Sequence, residues 1–465
     1  MANDDLLRVK EIRVVKLFGT YTHLVPLRTK DRVTIIHGPN GVGKTVLFRL
    51  VTALLSGNFL ELMKVPFETF EVTLSNDSIL GFARTTSSTI EKGDDDVLAT
   101  CYLKQDGEQV NSFQLKASQI DIRRLAARIE REMPWVSRID EDRFIDRKTD
   151  EVLTGAELLV SYSRHFSEKN KRRGLPESFF PDAEWLSSIS NRVSVHLVEA
   201  QRLLRASQTP REWEMRHQRD SYIPTVKTYA KDLQTRISET LTIYAKQSQS
   251  LDQSFPQRLL QTTYVPLSVE VLKVRMKELE DKRQQLKRIG LIGEDSTYPF
   301  DVRTLEKLDP TQQTVMTLYV EDTGRKLDSL ADLARRIEIL IENINSKFAH
   351  KSVLIDREKG LIARTDDDQQ LDLDALSSGE QHELVLLYDL LFRVKPNTLV
   401  LIDEPELSLH VIWQKTFLPD LLKVVEATGY DVVLATHSPF IVGERNDLMV
   451  PLSNGNDANA FTSMS

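Results

Sequence analysis

The residues from Gly38 to Thr45 have the spacing of a phosphate-binding loop. The stretch HGPNGVGKT fits the pattern G-x-x-x-x-G-K-[ST] at every fixed position. Glycines let such a loop curl until its backbone N–H groups face phosphate oxygens, while Lys44 reaches the β- and γ-phosphates and the Thr45 hydroxyl is offered to Mg²⁺. The predicted nucleotide-binding residues are Gly38, Asn40, Gly41, Gly43, Lys44 and Thr45.

A second set of chemical groups follows the apolar run Leu399–Ile402. Asp403 and Glu404 come directly after this run, which is typical of a buried parallel strand. We expect the strand to lie next to the phosphate-loop strand, Val33–Ile36, because carboxylates at that edge can complete a Mg²⁺ shell. Asp403 is therefore predicted as a metal ligand and Glu404 as the group that polarises the attacking water.

Two further strand ends carry polar side chains. The run YDVVLA ends at Thr436, His437 and Ser438, and we predict that His437 senses a γ-phosphate. In VHLVEAQRLL the strand is followed by Gln201, an amide that can ligate Mg²⁺ or position water. Gln105, in CYLKQDGEQV, is the alternative for that amide, and the sequence leaves the choice open.

A second phosphate-binding turn is predicted at Leu376–Gln381, in the stretch LSSGEQHELVLL. Ser377 and Gly379 precede a helix with an apolar body, Leu384–Leu391, and a helix N-terminus attracts anions. The alternative is that Ser377 is only an N-cap, which predicts the same local shape without a phosphate.

Roughly 330 residues separate Thr45 from Leu376, far more than a βα connection needs. Alternating residues over 68–116 predict a β-lobe, and 119–190 is predicted to be mainly helical and irregular. Seven apolar residues then repeat without a break at coiled-coil spacing, and four more have this spacing in an earlier helix, where Arg283 interrupts it. They are Leu327, Leu330, Ala334, Ile337, Ile341, Ile344 and Phe348, and Leu272, Met276, Leu279 and Leu286.

We interpret this part as a short helical arm, in which about 22 residues at 1.5 Å each would give one helix a length of ~33 Å. A helical bundle packed on the core is the alternative. The predicted organisation is 1–220 for the first half of the phosphate-loop domain with its β-lobe, 221–350 for the helical insertion, and 351–465 for the second half.

Composition limits the function classes. Charged residues make up 28% and hydrophobic residues 40%, a globular balance. The one cysteine, Cys101, excludes a disulfide within the chain and a cysteine-based zinc site. The net charge of −8 argues against a surface that grips nucleic acid throughout. With no membrane span and no signal peptide in the sequence, a cytoplasmic location is expected.

Four motifs in order, GPNGVGKT, LSSGEQ, LVLIDEPELSLH and ATHSPF, resemble those of the ABC-type ATPase superfamily, in the branch with Rad50, RecF and the OLD-like ATPases. The resemblance implies an α/β ABC-type P-loop head that binds ATP and Mg²⁺. It also implies a homodimer in which the signature turn, with Ser377 and Gly379, contacts the ATP of the facing head. Ser378 stands where the usual signature has a second glycine, and Ser408 and His410 would lie near the dimer seam.

The chain lacks features of some members of that branch. It has neither the long arms nor the Cys-x-x-Cys hook of Rad50-type proteins, and the 28 residues after His437 leave no room for a TOPRIM nuclease. We therefore expect a separate effector. The sequence most resembles the ATPases of bacterial PARIS anti-phage systems, which implies a homo-hexamer, a TOPRIM-type nuclease partner and a phage anti-restriction protein as trigger. The alternatives are a Septu-type ATPase with an HNH nuclease, or a RecF/Rad50-like repair ATPase that binds DNA directly.

Overall fold

A computed structural model describes residues 6–85, 97–117, 126–131, 133–140, 143–147, 151–154, 158, 184–198, 204–206, 222–261, 265–293 and 308–452. The chain forms two compact units. Unit 1 comprises Met1–Ala200, Val394–Leu407 and Gly429–Ser465, and unit 2 comprises Gln201–Arg393 and Ser408–Thr428. The domain boundaries given above, at 220 and 350, stay predictions.

Unit 1 contains a five-stranded parallel sheet. In spatial order its strands are β11 (Ser194–Val198), β17 (Thr398–Asp403), β18 (Asp431–Ala435), β3 (Val33–His37) and β19 (Met449–Pro451). The three central strands are buried almost throughout, as expected for apolar runs covered on both faces. Contrary to expectation, β17 does not pair with β3, because β18 lies between them.

The second sheet of unit 1 is the predicted β-lobe. It is antiparallel, in the order β2 (Tyr21–Pro26), β1 (Val9–Leu17), β4 (Thr69–Leu74), β5 (Ile79–Thr85), β6 (Val97–Gln105) and β7 (Glu108–Ala117). The first two strands, β1 and β2, lie before the phosphate loop and outside the predicted range, and they join the lobe only through the pairing of β1 with β4. Cys101 is buried in β6, and burial raises the pKa of its thiol to about 12.

The core of unit 1 centres on helix α1 (Lys44–Leu55), which is followed by the short helix α2 (Phe59–Lys64). Leu47 and Phe48 of α1 are fully buried in one cluster with Ile36 of β3 and with Val14 and Phe70 of the β-lobe. One hydrophobic core therefore holds the first helical turn of α1 against both sheets, which fixes the position of the phosphate loop.

The prediction for 119–190 was wrong where three short strands occur, and much of that range lies outside the described residues. Residues 126–131 are helical and α3 covers Glu184–Arg192, but β8 (Val136–Arg138), β9 (Arg143–Asp146) and β10 (Glu151–Thr154) form an antiparallel sheet. These strands are short, and their buried residues Val136 and Phe144 pack in one cluster with Ala126 and Ile129 of the helical residues.

Unit 2 is mainly helical. Its helices are α4 (Thr225–Gln261), α5 (Val269–Arg288), α6 (Pro310–Asn345), α7 (Ser378–Tyr388) and α8 (Val411–Thr428). A π-helical turn, Asp389–Arg393, follows α7. The strands are the pair β12 (Leu204–Ala206) and β13 (Tyr222–Pro224) and the antiparallel set β14 (Lys351–Asp356), β15 (Gly360–Thr365) and β16 (Gln370–Leu371).

The predicted helical insertion is present, with a wider interface than a coiled-coil seam. All four predicted residues of α5 are buried. Of the seven predicted residues in α6 and just after it, all but Ile341 are buried. Leu333 and Leu340, outside the predicted seam, are buried as well, because α6 packs against α4, α5, α8 and β14. The packing is that of a helical bundle within unit 2.

The predicted fold class is confirmed: an α/β protein with a parallel phosphate-loop sheet, an antiparallel β-lobe and a helical insertion. Every helix among the residues listed above is too short or too polar to cross a membrane.

Candidate functional site

The phosphate loop connects β3 to α1, as predicted, and its shape requires glycine at two positions. Gly41 and Gly43 have φ values of 85° and 94°, in the left-handed region that favours glycine. A Cβ on Gly43 would also lie 2.6 Å from Cδ2 of Leu17, so the loop closely approaches β1 at this point. The backbone can therefore curl around an anion only with these glycines in place.

Lys44 is held at the mouth of the loop. Its Nζ donates hydrogen bonds to the carbonyls of Gly38 at 2.9 Å and Pro39 at 3.0 Å, and the residue is 5% exposed. Burial lowers the pKa of Lys44, while the nearby carboxylates of Glu404, Asp403 and Glu406 oppose that shift. The ammonium group is thus desolvated and oriented before any phosphate arrives, which strengthens its interaction with an anion.

The sequence analysis missed His23, a buried residue of β2. Its Nε2 lies 2.8 Å from the carbonyl of Val42 in the phosphate loop, so Nε2 carries the proton and donates it. Burial lowers the pKa of His23, and Nδ1 has no hydrogen-bond partner among the described residues. The neutral ring therefore braces the loop from the β-lobe. No signal in the sequence links β2 to the loop.

Asp403 and Glu404 lie at the carboxyl end of β17, as predicted. Oδ1 of Asp403 is buried, and within the described part of the chain no group donates a hydrogen bond to it. Glu404 has a φ of 43°, rare for a residue with a side chain, and its N–H donates to Ala435 of β18 at 2.9 Å. This left-handed turn takes the chain sharply off the strand end, and such backbone strain is frequent at functional sites.

His437 is placed beside Glu404. Its Nε2 lies 3.8 Å from Oε1 of Glu404, so the ends of β17 and β18 bring the two predicted catalytic groups together. The sequence analysis missed Glu406, in the 3₁₀ turn Pro405–Ser408. The carboxylate of Glu406 accepts hydrogen bonds from the backbone N–H of His437 and from the hydroxyl of Thr436.

The predicted signature turn starts helix α7 in unit 2. Ser377 is the N-cap: its hydroxyl accepts from the N–H of Glu380, and a carboxylate oxygen of Glu380 accepts from the N–H of Ser377. Lys351 of β14 donates to the same carboxylate at 3.0 Å. These capping bonds make the helix N-terminus rigid, and Ser377 is exposed there. Gly379, one residue beyond Ser378, faces the ring of Trp413.

Four predicted residues remain: the two candidate glutamines, Gln201 and Gln105, and the two residues expected near a dimer seam, Ser408 and His410. Gln201 lies outside the described residues, although the predicted strand before it is present as β11 and pairs with β17. Gln105 is exposed at the β6–β7 hairpin of the β-lobe, and the choice between it and Gln201 stays open. Ser408 ends the 3₁₀ turn, and His410 is exposed, with Nδ1 accepting a 3.4 Å hydrogen bond from Ile412 N–H.

The groups at this sheet edge fit a Mg²⁺–nucleotide complex. The loop supplies N–H groups and a desolvated ammonium, and Thr45 lies half-buried at the start of α1. Oδ1 of Asp403, buried without a donor among the described residues, has the chemistry of a hard-cation ligand or of an acceptor for a metal-bound water. A cation bound here would supply charge neutralisation for the phosphates.

Comparison with known proteins identifies a family for this arrangement. A family model described as "AAA domain, putative AbiEii toxin, Type IV TA system" matches residues 33–443, which include the phosphate loop, the signature turn, Asp403 and His437. No match was found among the curated proteins.

Solved structures with detectable similarity include SMC head domains. One is the Smc head domain from Pyrococcus furiosus, with an extended coiled coil bound to the C-terminal domain of ScpA: 12% identity, 97% of this chain and 94% of that chain covered, TM-score 0.32. Another is the SMC head domain from Thermotoga maritima: 12% identity, 96% of each chain covered, TM-score 0.33. Similarities at such TM-scores carry no argument about this chain.

Proposed function

Since the chain belongs to this AAA-domain family of ABC-type ATPases, we propose that it hydrolyses ATP to ADP and phosphate at the edge formed by β3, β17 and β18. The observation that carries the proposal is the convergence of a desolvated Lys44, the buried Asp403 oxygen and the Glu404–His437 pair on three strand ends of one sheet. Parallel strands with a phosphate loop bind ligands at this edge.

The proposed roles follow from chemistry and position. Lys44 and the N–H groups of the loop bind the β- and γ-phosphates, and Thr45 and Asp403 hold Mg²⁺, with Gln201 as a further ligand by resemblance. Glu404 takes a proton from the water whose oxygen attacks the γ-phosphorus, and ADP leaves with the electrons of the broken P–O bond. His437, 3.8 Å from Glu404, donates to the transferred phosphoryl group.

Replacing Glu404 with glutamine tests this assignment. The amide keeps the shape of the side chain but cannot accept a proton, so ATP affinity should persist while hydrolysis falls by about 100-fold or more. Both quantities are measured on the same preparation, by equilibrium binding of a fluorescent ATP analogue and by phosphate release. A turnover rate equal to that of the wild type would reassign the base, with His437 as the next residue to test.

We further propose that two heads cooperate, with Ser377 of one copy acting on the ATP bound by Lys44 of another. The exposed N-terminus of α7 supports the proposal, since its N–H groups and positive end suit a γ-phosphate. The N-cap role of Ser377 is compatible with it, because the cap bonds are made to Glu380 within one copy.

A mixing experiment separates action between copies from action within one copy. Lys44→Ala and Ser377→Arg should each be inactive alone. In a mixed dimer one composite site has both defects and the other has neither, so activity should return once subunits exchange. Titration of wild type with the Ser377→Arg variant supplies the second measurement. A linear fall with mutant fraction, together with no rescue in a confirmed mixed dimer, would exclude action between copies.

At the level of biology, we propose a regulatory ATPase of an anti-phage system that holds a separate nuclease and releases it when a phage protein is sensed. The support is the family description, which names a toxin and a type IV toxin–antitoxin system, and the resemblance to the PARIS ATPase AriA. That resemblance implies a homo-hexamer, a TOPRIM-type nuclease partner and a phage anti-restriction protein as trigger. A Septu-type partner, an HNH nuclease, is the alternative of the same class.

A RecF- or Rad50-like repair ATPase is the competing class, and DNA binding across a salt series discriminates between them. Contacts with DNA phosphates make the logarithm of affinity fall steeply with the logarithm of salt concentration. We expect weak, shallow binding, given the net charge of −8. Co-expression with the neighbouring gene, followed by purification of an intact ATPase–nuclease complex, would support the regulatory role. Tight DNA binding with a steep salt dependence would favour the repair function instead.

A further inference from the structure

We infer that Glu406 is a positioning residue for ATP hydrolysis, which holds the backbone of His437 so that its ring stays beside Glu404. This inference rests on the ATPase activity proposed above and assigns a role to a carboxylate that is neither the predicted metal ligand nor the predicted base. Glu406 lies two residues after Glu404, yet its hydrogen bonds reach the loop after the neighbouring strand, β18.

Both oxygens of the carboxylate are engaged by that loop. Oε1 accepts from the backbone N–H of His437 at 2.6 Å, and Oε2 accepts from Oγ1 of Thr436 at 2.9 Å. The hydroxyl of Thr436, which is 1% exposed, in turn accepts from the N–H of Ser438 at 3.0 Å. Glu406 therefore fixes three consecutive residues of the loop, with His437 in the middle, through two charge-assisted bonds.

A second hydrogen bond links the segment after β17 to the end of β18. The N–H of Glu404 donates to the carbonyl of Ala435 at 2.9 Å, directly before Thr436. The backbone N–H of Glu404 and that of His437 each donate one bond to the opposite segment, so the backbone from which each side chain extends is held in place. Without Glu406, the link through Ala435 would remain, but the backbone of His437 would lose its acceptor.

If Glu406 only stabilised the fold, its replacement would have a different effect on the measured quantities. A structural hydrogen bond affects folding and leaves the turnover of the folded protein intact, whereas a positioning residue lowers kcat with little change in ATP affinity. Misplacement of a reacting group by about 1 Å can cost about 100-fold in rate. Glu406 also acts on Lys44 through its charge, although less than Glu404 and Asp403 do, so the ATP affinity of each variant is measured beside its kcat.

The test compares Glu406→Ala, Glu406→Gln and the control Glu444→Ala, which removes an exposed glutamate seven residues beyond His437. We expect Glu406→Ala to lower kcat by about 10- to 100-fold while ATP affinity stays within about threefold. Glu406→Gln keeps one carbonyl oxygen as an acceptor and should be intermediate. The control should match the wild type in all measurements.

Hydrogen–deuterium exchange of the nucleotide-free protein gives a readout that is independent of turnover. The amide of His437 loses its acceptor in Glu406→Ala, so a peptide covering 436–438 should exchange at least about tenfold faster, while peptides of the β-lobe are unchanged. Thr436→Val, which removes only the hydroxyl, should speed exchange less. If Glu406→Ala does not fold, the Glu406→Gln and Thr436→Val variants carry the same comparison.

The outcomes separate the two hypotheses. Wild-type kcat in Glu406→Ala, or a loss of kcat with unchanged exchange at 436–438, overturns the positioning role and leaves the ATPase proposal intact. The positioning role is also overturned if Glu406→Ala lowers both the ATP affinity and the melting temperature along with kcat and Glu406→Gln restores none of them. If the wild-type chain does not hydrolyse ATP, the proposed function is refuted, and the positioning role that rests on it falls as well. Faster exchange in Glu406→Ala would then still show that Glu406 accepts the hydrogen bond from His437 N–H.

Discussion

Lys347 holds together two helices of unit 2, and its replacement by methionine is the most informative test of that unit. Its Nζ contacts the carboxylate of Glu383 on α7 and lies 3.0 Å from Oδ2 of Asp420 on α8. The side chains of Lys347 and Glu383 are 4% and 1% exposed. Methionine has a similar length and shape but no charge, so the change removes the cation with little loss of packing volume.

The expected loss of stability follows from this burial. Removing one partner of a buried ion pair costs about 3–5 kcal/mol, because the remaining charge stays out of water without compensation. A unit of roughly 200 residues loses about 2–4 °C of melting temperature per kcal/mol. The unfolding transition of unit 2 should therefore fall by about 6–20 °C.

The pH dependence of this contribution has a definite sign. Burial alone would lower the pKa of Lys347, but the charges and hydrogen bonds of Glu383 and Asp420 outweigh it and raise the pKa above its ordinary 10.5. The native state thus holds this proton more tightly than the unfolded chain. The stabilisation is fully present below about pH 10.5 and is lost as the pH rises through the folded pKa. Lys347→Met should remove that alkaline loss.

Differential scanning fluorimetry, with hydrogen exchange to assign the transition to unit 2, measures the effect. Arg335→Ala is the matched control on α6, the helix that ends two residues before Lys347. Its pair with Glu426 spans 4.0 Å between exposed side chains and should contribute less than about 1 kcal/mol. The triple variant Lys347→Met, Glu383→Gln, Asp420→Asn removes the stranded charges and should recover much of the loss. If Lys347→Met melts within about 2 °C of the wild type, the reasoning is refuted.

Three further predictions concern unit 1. Lys44→Ala should abolish ATP binding, because the cation committed to the β- and γ-phosphates is lost, and near-wild-type affinity in a direct binding assay would remove Lys44 from this role. Gly43→Ala should destabilise the loop and reduce ATP affinity, since a Cβ would lie 2.6 Å from Leu17 at a φ of 94°. Gly57→Ala is the control: its φ is 71° and no atom lies within 4 Å of the added Cβ, so it should cost only the backbone strain of about 1 kcal/mol. Because burial lowers the pKa of His23, its neutral ring should stabilise the loop above about pH 6.5 and less so as the pH falls toward the folded pKa. A urea series at several pH values tests this, and His23→Gln, whose amide can donate to Val42, should flatten the dependence.

The sequence by itself determined the local parts of this site. The glycine spacing from Gly38 to Thr45 supplies the left-handed turns of the loop at Gly41 and Gly43, and the structure contains the loop between a strand and a helix. Apolar runs bounded by polar residues placed Asp403 and His437 at strand ends, because a buried parallel strand must be apolar along its length. The N-cap at Ser377 is likewise encoded within four residues.

Only the tertiary structure decided which strand ends become neighbours. β18 lies between β17 and β3, and this order sets His437 rather than Gly38 next to Glu404. The order depends on how β-strands distant in sequence pair across one sheet, which no local period records. The left-handed turn at Glu404 has the same origin, because bonds to the neighbouring loop compensate for a conformation that its own residue type disfavours.

The contacts that hold the reacting groups and the helices in place join residues far apart in the chain, so no local sequence pattern predicts them. His23 braces the phosphate loop from 19 residues away, Glu406 reaches a backbone N–H 31 residues further on, and Lys347 meets Glu383 across 36 residues. In each case the partner comes from a different part of the chain, so the contact exists only once the tertiary fold has brought the two groups together. Spacing along the chain therefore specified the reacting groups, and the tertiary fold selected the residues that hold them in place.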